Sequence, residues 1–115
     1  MRPAASSDFV VPVEGLGDFV FGRRQMADEI KINVEYSRYL DGVQHPTPYL
    51  DAVATWLSTL RVLMVAAPDR WRDLDGLDPL DEDVYAGLMR IHAALRQKED
   101  SFRRRHGEAR TSAGA

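Results

Sequence analysis

From Pro48 to Ala66 the chain holds only five polar residues, Asp51, Thr55, Ser58, Thr59 and Arg61. Leu50, Val53, Ala54, Leu57, Leu60 and Met64 follow one helical stripe, which Tyr49, Trp56 and Leu63 widen. Thr47 is a good N-cap with Pro48 at the first helical position, and Pro68 ends the run. A helix this apolar either forms the centre of a core or serves an interface, so the rest of the chain must be arranged around it. Leu57–Ala67, the most apolar stretch, contains Arg61 and is shorter than the ~20 residues that cross a bilayer. A membrane span is therefore not expected.

The other segments supply partners for this helix. Phe9–Val13 and Phe19–Phe21 are rich in strand formers and flank the glycine-bearing connection Glu14–Asp18, which predicts a β-hairpin over residues 9–22. Pro12 cannot donate to a ladder, so its strand belongs at an edge. A lone hairpin is marginal in water and must lie on something apolar. A first helix is expected over residues 25–40, with Asp28 and Glu29 at its positive end and Asp41-Gly42 as the stop. Its apolar residues form two rows on different sides, Met26, Ile30, Val34 and Ile32, Tyr36, Tyr39, Leu40. One neighbour does not cover both rows; one of them faces the hairpin, and the other a helix or a partner. The second helix is expected over 48–66 and a third over 81–104. Asp81 is its candidate N-cap, and Val84, Leu88, Ile91, Leu95 and Phe102 form its inward face. Residues 1–8 are expected to be flexible and 106–115 to form a mobile, disordered tail. The expectation is a mainly α fold of α+β type. An N-terminal hairpin packs on a three-helix core in a single domain over residues 9–105.

Composition narrows the function classes. Hydrophobic residues at 44% and charged residues at 29% argue against wholesale disorder. A net charge of −3 gives no electrostatic reason to expect nucleic acid as a partner. Cysteine is absent, so neither disulfides nor thiolate chemistry is available. Met1–Ala5 is not followed by an apolar run, so a cytoplasmic protein without a signal peptide is expected.

The densest chemistry lies in the acidic run Asp73, Asp75, Asp78, Asp81, Glu82 and Asp83, six acids within eleven positions. Counted from Asp73 as a calcium loop, a required oxygen ligand falls on Leu77, the turn glycine on Asp78 and the bidentate acid on Val84. The pattern fails at all three places, and an Asp-Gly turn feeding an acid-capped helix explains the run better. His45, His92 and His106 share no i,i+4 spacing, so no metal site is expected, and His92 reads as a packed or rim residue. Gly15-Leu16-Gly17 lacks the third glycine of a phosphate loop and reads as a hairpin turn. Arg103-Arg104-Arg105 suits the negative end of a helix without any anionic partner. No serine or threonine has a nearby base, so neither a catalytic residue nor a cofactor site is expected.

Aromatic residues remain. Trp56 fits the core side of the second helix. Trp71, between Arg70 and Arg72, either tucks under the turn and closes the core or stands exposed as an anchor for a partner. The two apolar rows of the first helix and the nearly unbroken second helix hold more greasy surface than a three-helix core easily hides. Tyr36, Tyr39, Trp56 and Trp71 are the candidate partner-binding residues, on a groove that suits an amphipathic helix.

Taken in order, several motifs carry a resemblance. Phe19-Val20-Phe21-Gly22-Arg23-Arg24 leads into a helix opening with Asp28, Ile30 and Ile32. Thr47-Pro48-Tyr49-Leu50 starts the second helix, Leu77-Asp78-Pro79-Leu80-Asp81 precedes the third, and Ala93–Arg103 completes the pattern. Over residues 9–104 the chain resembles the small tail assembly chaperones of long-tailed bacteriophages and prophages. The resemblance implies a non-enzymatic protein of the host cytoplasm. It would coat the tape measure protein, keep its long hydrophobic helix soluble, help recruit tail tube subunits and be absent from the finished virion. Self-association into a homo-oligomer is compatible with the same surfaces. Two rival classes are a structural head–tail joining or tail completion ring, and an acidic inhibitor of a basic protein. The inhibitor needs the acids of 73–83 to share a face with Asp51 and Asp28.

Overall fold

A computed structural model describes residues 1–114, with side chains described through Arg103. Strands β1 (Phe9–Val13) and β2 (Gly17–Phe21) form the expected antiparallel hairpin, with Val11 opposite Phe19 and Val13 opposite Gly17. The connection is three residues, Glu14–Leu16, rather than five. The Leu16 amide closes it on the Val13 carbonyl at 3.0 Å. Gly17 has φ +118°, and a Cβ there would lie 2.8 Å from Cγ of Pro68, so only glycine fits. Alternation puts Val11, Val13, Phe19 and Phe21 on the buried face.

Helix α1 (Met26–Leu40) starts where the Asp28 carboxylate accepts the Gln25 amide at 2.9 Å and ends as Asp41 turns left-handed at φ 45°. Helix α2 (Pro48–Leu63) is capped by Thr47, whose hydroxyl oxygen accepts the Leu50 amide at 3.1 Å. It stops three residues earlier than the apolar stripe predicts. Met64–Ala66 is a third strand, β3, antiparallel to β2 with an irregular register between Val20 and Phe21. The strand order β1-β2-β3 leaves β1, with Pro12, at an edge. A short apolar run bounded by proline suits either a helix end or a buried strand, and periodicity does not separate the two. Here the free edge of β2 decides it, because β3 and the bond from the Gly22 amide to the Leu63 carbonyl at 2.8 Å satisfy that edge.

A single 3₁₀ turn (Asp69–Trp71) and the acidic connection lead to α3 (Glu82–Gly114). Val84, Leu88, Ile91 and Leu95 face inward as expected. Phe102 is half-buried, with its ring edge-on to Phe9 at 5.1 Å. The core is built from the inner face of the sheet, the last turns of α2, α3, Leu74 and Trp71. Helix α1 contributes only the half-buried Ile32 to it and lies against α2. Trp71 is 1% exposed, which removes it from any partner surface. Residues 1–8, expected to be flexible, reach the domain through Arg2. Its amide bonds to the Met64 carbonyl at 3.1 Å, and its guanidinium passes over Gly22 to the buried Asp28 at 3.1 Å. The tail expected over 106–115 lies outside the residues whose side chains are described. Among the described residues no helix is long and apolar enough to cross a membrane.

Candidate partner-binding site

The N-terminal halves of α2 and α3 meet through aromatic side chains, Tyr49 and Trp56 on one and Tyr85 on the other. Between them lies an open cleft of about 380 Å³. Tyr49, Val53 and Leu57 from α2 form one wall, Val84, Tyr85 and Leu88 from α3 the other, and Leu74, Leu77 and Pro79 the floor, with Tyr39 of α1 at one end. Residues 49, 53 and 57 form one i,i+4 row of α2, with Leu57 packed on the core and Tyr49 on Tyr85. Tyr85 stands between two rings, stacked on Tyr49 at 5.5 Å and edge-on to Trp56 at 5.0 Å. Tyr49, Tyr85, Met89 and Leu80 are exposed, Leu80 at 89%.

One carboxylate, Asp75, lines the cleft, and it is braced. Asp75 accepts a bond from the Tyr39 hydroxyl at 2.5 Å and from Arg61 at 2.6 Å. The Tyr36 hydroxyl donates to Asp51. Burial and the Asp75 contact push the Tyr39 phenol above its ordinary pKa, and the Asp51 contact does the same for Tyr36. Both hydroxyls are therefore fixed donors at neutral pH. Arg61 also reaches Glu35 at 3.6 Å, tying α1, α2 and the acidic connection together.

Most of the remaining acids of the run have local partners. Asp73 accepts the Gly76 amide at 3.2 Å and Asp78 the Leu80 amide at 2.9 Å. The side chain of Asp81 does not serve as the expected cap. It binds Arg70 at 2.9 Å, while its carbonyl accepts the Val84 amide. Asp83 accepts two bonds from Arg70, at 2.6 and 2.7 Å, and these hold its carboxyl well below the usual carboxylate range. Among the described residues no group of three or more His, Asp or Glu side chains is placed to hold a metal ion. No family model, curated protein or solved structure matches the chain.

Of the four residues singled out from sequence, Tyr39 lines the cleft and Trp56 backs Tyr85. Tyr36 lies on the same helix face as Tyr39, engaged with Asp51, and Trp71 is in the core. Tyr49, Leu57, Leu77, Leu80 and Tyr85 were missed. The signal for Tyr85 was present: Tyr85 and Met89 form an i,i+4 row of their own, off the core face of α3.

At the far end of the sheet a second cluster is structural. Arg24 grips Glu99 with Nε at 2.9 Å and Nη2 at 3.0 Å, and Arg23 lies 4.1 Å over the Phe102 ring. His92 beside them has its pKa lowered to about 4 by burial and by the cations Arg96 and Arg24.

Proposed function

We propose that the chain is a non-catalytic tail assembly chaperone of a long-tailed phage or prophage, and that its α2–α3 cleft takes an apolar helix of the tape measure protein. The observation that carries this reading is the open cleft itself, an aromatic and aliphatic trough flanked by the exposed Leu80, Tyr49 and Tyr85. Contiguous apolar surface of this kind is costly unless something covers it, and a groove between helices is the usual seat for an amphipathic helix. The motifs from Phe19 to Arg103 that resemble the tail chaperones give the partner its identity. On this reading the protein acts in the host cytoplasm, helps bring tail tube subunits to the coated tape measure, and leaves before the virion is complete.

The acidic-inhibitor reading has less support. Asp28 is buried against Arg2, and Asp75, Asp81 and Asp83 already neutralise arginines of this chain. The proposal is tested by co-expressing the chain with the tape measure protein of its own phage. The tape measure should stay in the soluble fraction with the chain and pellet without it. Equal solubility in both cases would overturn the reading.

A further inference from the structure

The cluster at the far end of the sheet holds the fold together and still has donors to spare. Arg23 and Arg24, just before α1, and Arg96 and Arg103 of α3 line a pocket of about 180 Å³, with Phe9 and Phe102 as its apolar side. Among the described residues Glu99 is the one carboxylate that lines it. Glu99 is already shared: Arg24 holds it with Nε and Nη2, and Arg96 reaches it at 3.5 Å. A second acid, Glu29, takes Nη1 of Arg24 at 3.1 Å. Asp8 and Asp100, beside Phe9 and Glu99 in sequence, do not line the pocket, and Asp8 accepts the Ala5 amide at 2.7 Å. Four guanidinium groups therefore face two carboxylates. Among the described residues Arg23 and Arg103 have no acidic partner.

We infer that this pocket binds a carboxylate side chain of an acidic protein segment, with Arg23 and Arg103 as its donors. The inference is independent of what occupies the α2–α3 cleft. Arg23 is held ready without an acid, because its guanidinium lies over the Phe102 ring, 4.1 Å from the centre. Contact with a ring face consumes none of its five N–H donors, which stay available to an anion. The planar fork of arginine matches a carboxylate, and Arg24 already makes that match with Glu99 in the same place. A space of this size admits a side chain and not a helix, and Phe9 and Phe102 favour an apolar residue next to the acid. A nucleic acid fits less well. Its phosphates call for a basic stripe, which a chain of net charge −3 does not offer. Its bases call for open ring faces, whereas Phe102 already carries Arg23 and Phe9 is set against Phe21 and Phe102.

The test titrates the full chain into two labelled, C-terminally amidated peptides, read by fluorescence anisotropy. They differ only in the two residues flanking a leucine, glutamate in one and glutamine in the other. The glutamate peptide should bind roughly tenfold more tightly at low salt, and added salt should narrow the gap. Arg103→Gln, at an exposed position, should weaken the glutamate peptide by roughly threefold or more while the thermal midpoint stays in place. Arg23→Gln should weaken it as well. Arg70→Gln, at a guanidinium already paired with Asp81 and Asp83, should leave the affinity unchanged. Equal affinity for the two peptides, or no binding of the glutamate peptide at millimolar concentration, overturns the inference. So does a glutamate preference untouched by both Arg23→Gln and Arg103→Gln. A labelled single-stranded oligonucleotide bound more tightly than the glutamate peptide, through the same two arginines, overturns the carboxylate assignment in favour of phosphate.

Discussion

The indole of Trp71 lies on Gly87 of α3 so closely that a Cβ at residue 87 would come within 2.4 Å of Cη2 and 2.9 Å of Cζ2. Trp71 is among the most deeply buried side chains of the domain. The glycine is therefore the reason α3 can approach the turn after β3. Gly87→Ala gains up to ~1 kcal/mol of helix propensity but overpacks the contact by about 1–3 kcal/mol, so a net loss is expected. Trp71→Ala empties the same place and should cost about 3–5 kcal/mol. Urea midpoints of both variants measure this, and a midpoint for Gly87→Ala at or above that of the parent would mean that the ring can move aside.

Arg24 holds Glu99 with two parallel bonds and Glu29 with a third at 3.1 Å, joining the segment before α1 to α3. The Arg24 and Glu99 side chains are largely shielded from water. A lysine keeps the charge but lacks the planar fork. Arg24→Lys should cost about 1–2 kcal/mol, the worth of one or two charge-assisted bonds. A double-mutant cycle with Glu99→Gln reads the coupling directly. Coupling near zero would show that water replaces the pair without loss.

Much of this architecture is legible in the sequence because local signals and burial agree there. Thr47-Pro48, Asp41-Gly42 and the alternation of Val11, Val13, Phe19 and Phe21 each act within a few residues. Places decided by distant neighbours are not legible. Met64–Ala66 continues the apolar stripe of α2 and becomes a strand only because β2 offers an open edge. Trp71 has the residue type and arginine neighbours of an interface anchor, and only the missing side chain at Gly87, sixteen positions on, draws it inside. The cleft was partly visible through Tyr39 and Trp56. Its other aromatics, Tyr49 and Tyr85, belong to two helices whose separation no periodicity reports.

Tyr85 separates partner binding from folding. It is partly exposed and touches Tyr49 and Trp56 through ring faces and edges, contacts worth about 0.5–1.5 kcal/mol each in such pairs. As a central aromatic of the cleft it should contribute about 2 kcal/mol or more to holding a partner helix. On the proposed chaperone reading, Tyr85→Ala should therefore release the tape measure protein from co-purification while the thermal midpoint falls only slightly. A variant that retains its partner at full strength would place the binding surface elsewhere, and the exposed row Met26, Ile30 and Val34 of α1 would be the next to examine.

His92 gives the fold a pH dependence of definite sign. Burial lowers its pKa to about 4 from the ordinary 6.5, and the positive charges of Arg96 and Arg24 act in the same direction. The native state therefore keeps the imidazole neutral where the unfolded chain already binds a proton. Stability from this source is complete above the unfolded value and is lost as pH falls from about 6.5 towards about 4. Below that the folded protein is protonated too, and the loss levels off. The carboxylates beside these cations are already engaged, Glu99 by Arg24 and Arg96 and Glu29 by Arg24, so neither is free to steady an imidazolium. His92→Gln should flatten the decline in urea midpoint between pH 6.5 and pH 5, a window in which most carboxylates remain ionised. A proton NMR titration of the His92 ring in the parent reads the same quantity from the folded side. A ring that titrates near its ordinary value, or a variant whose midpoint falls as steeply as the parent's, would show that water reaches the imidazole and that the two arginines are screened from it.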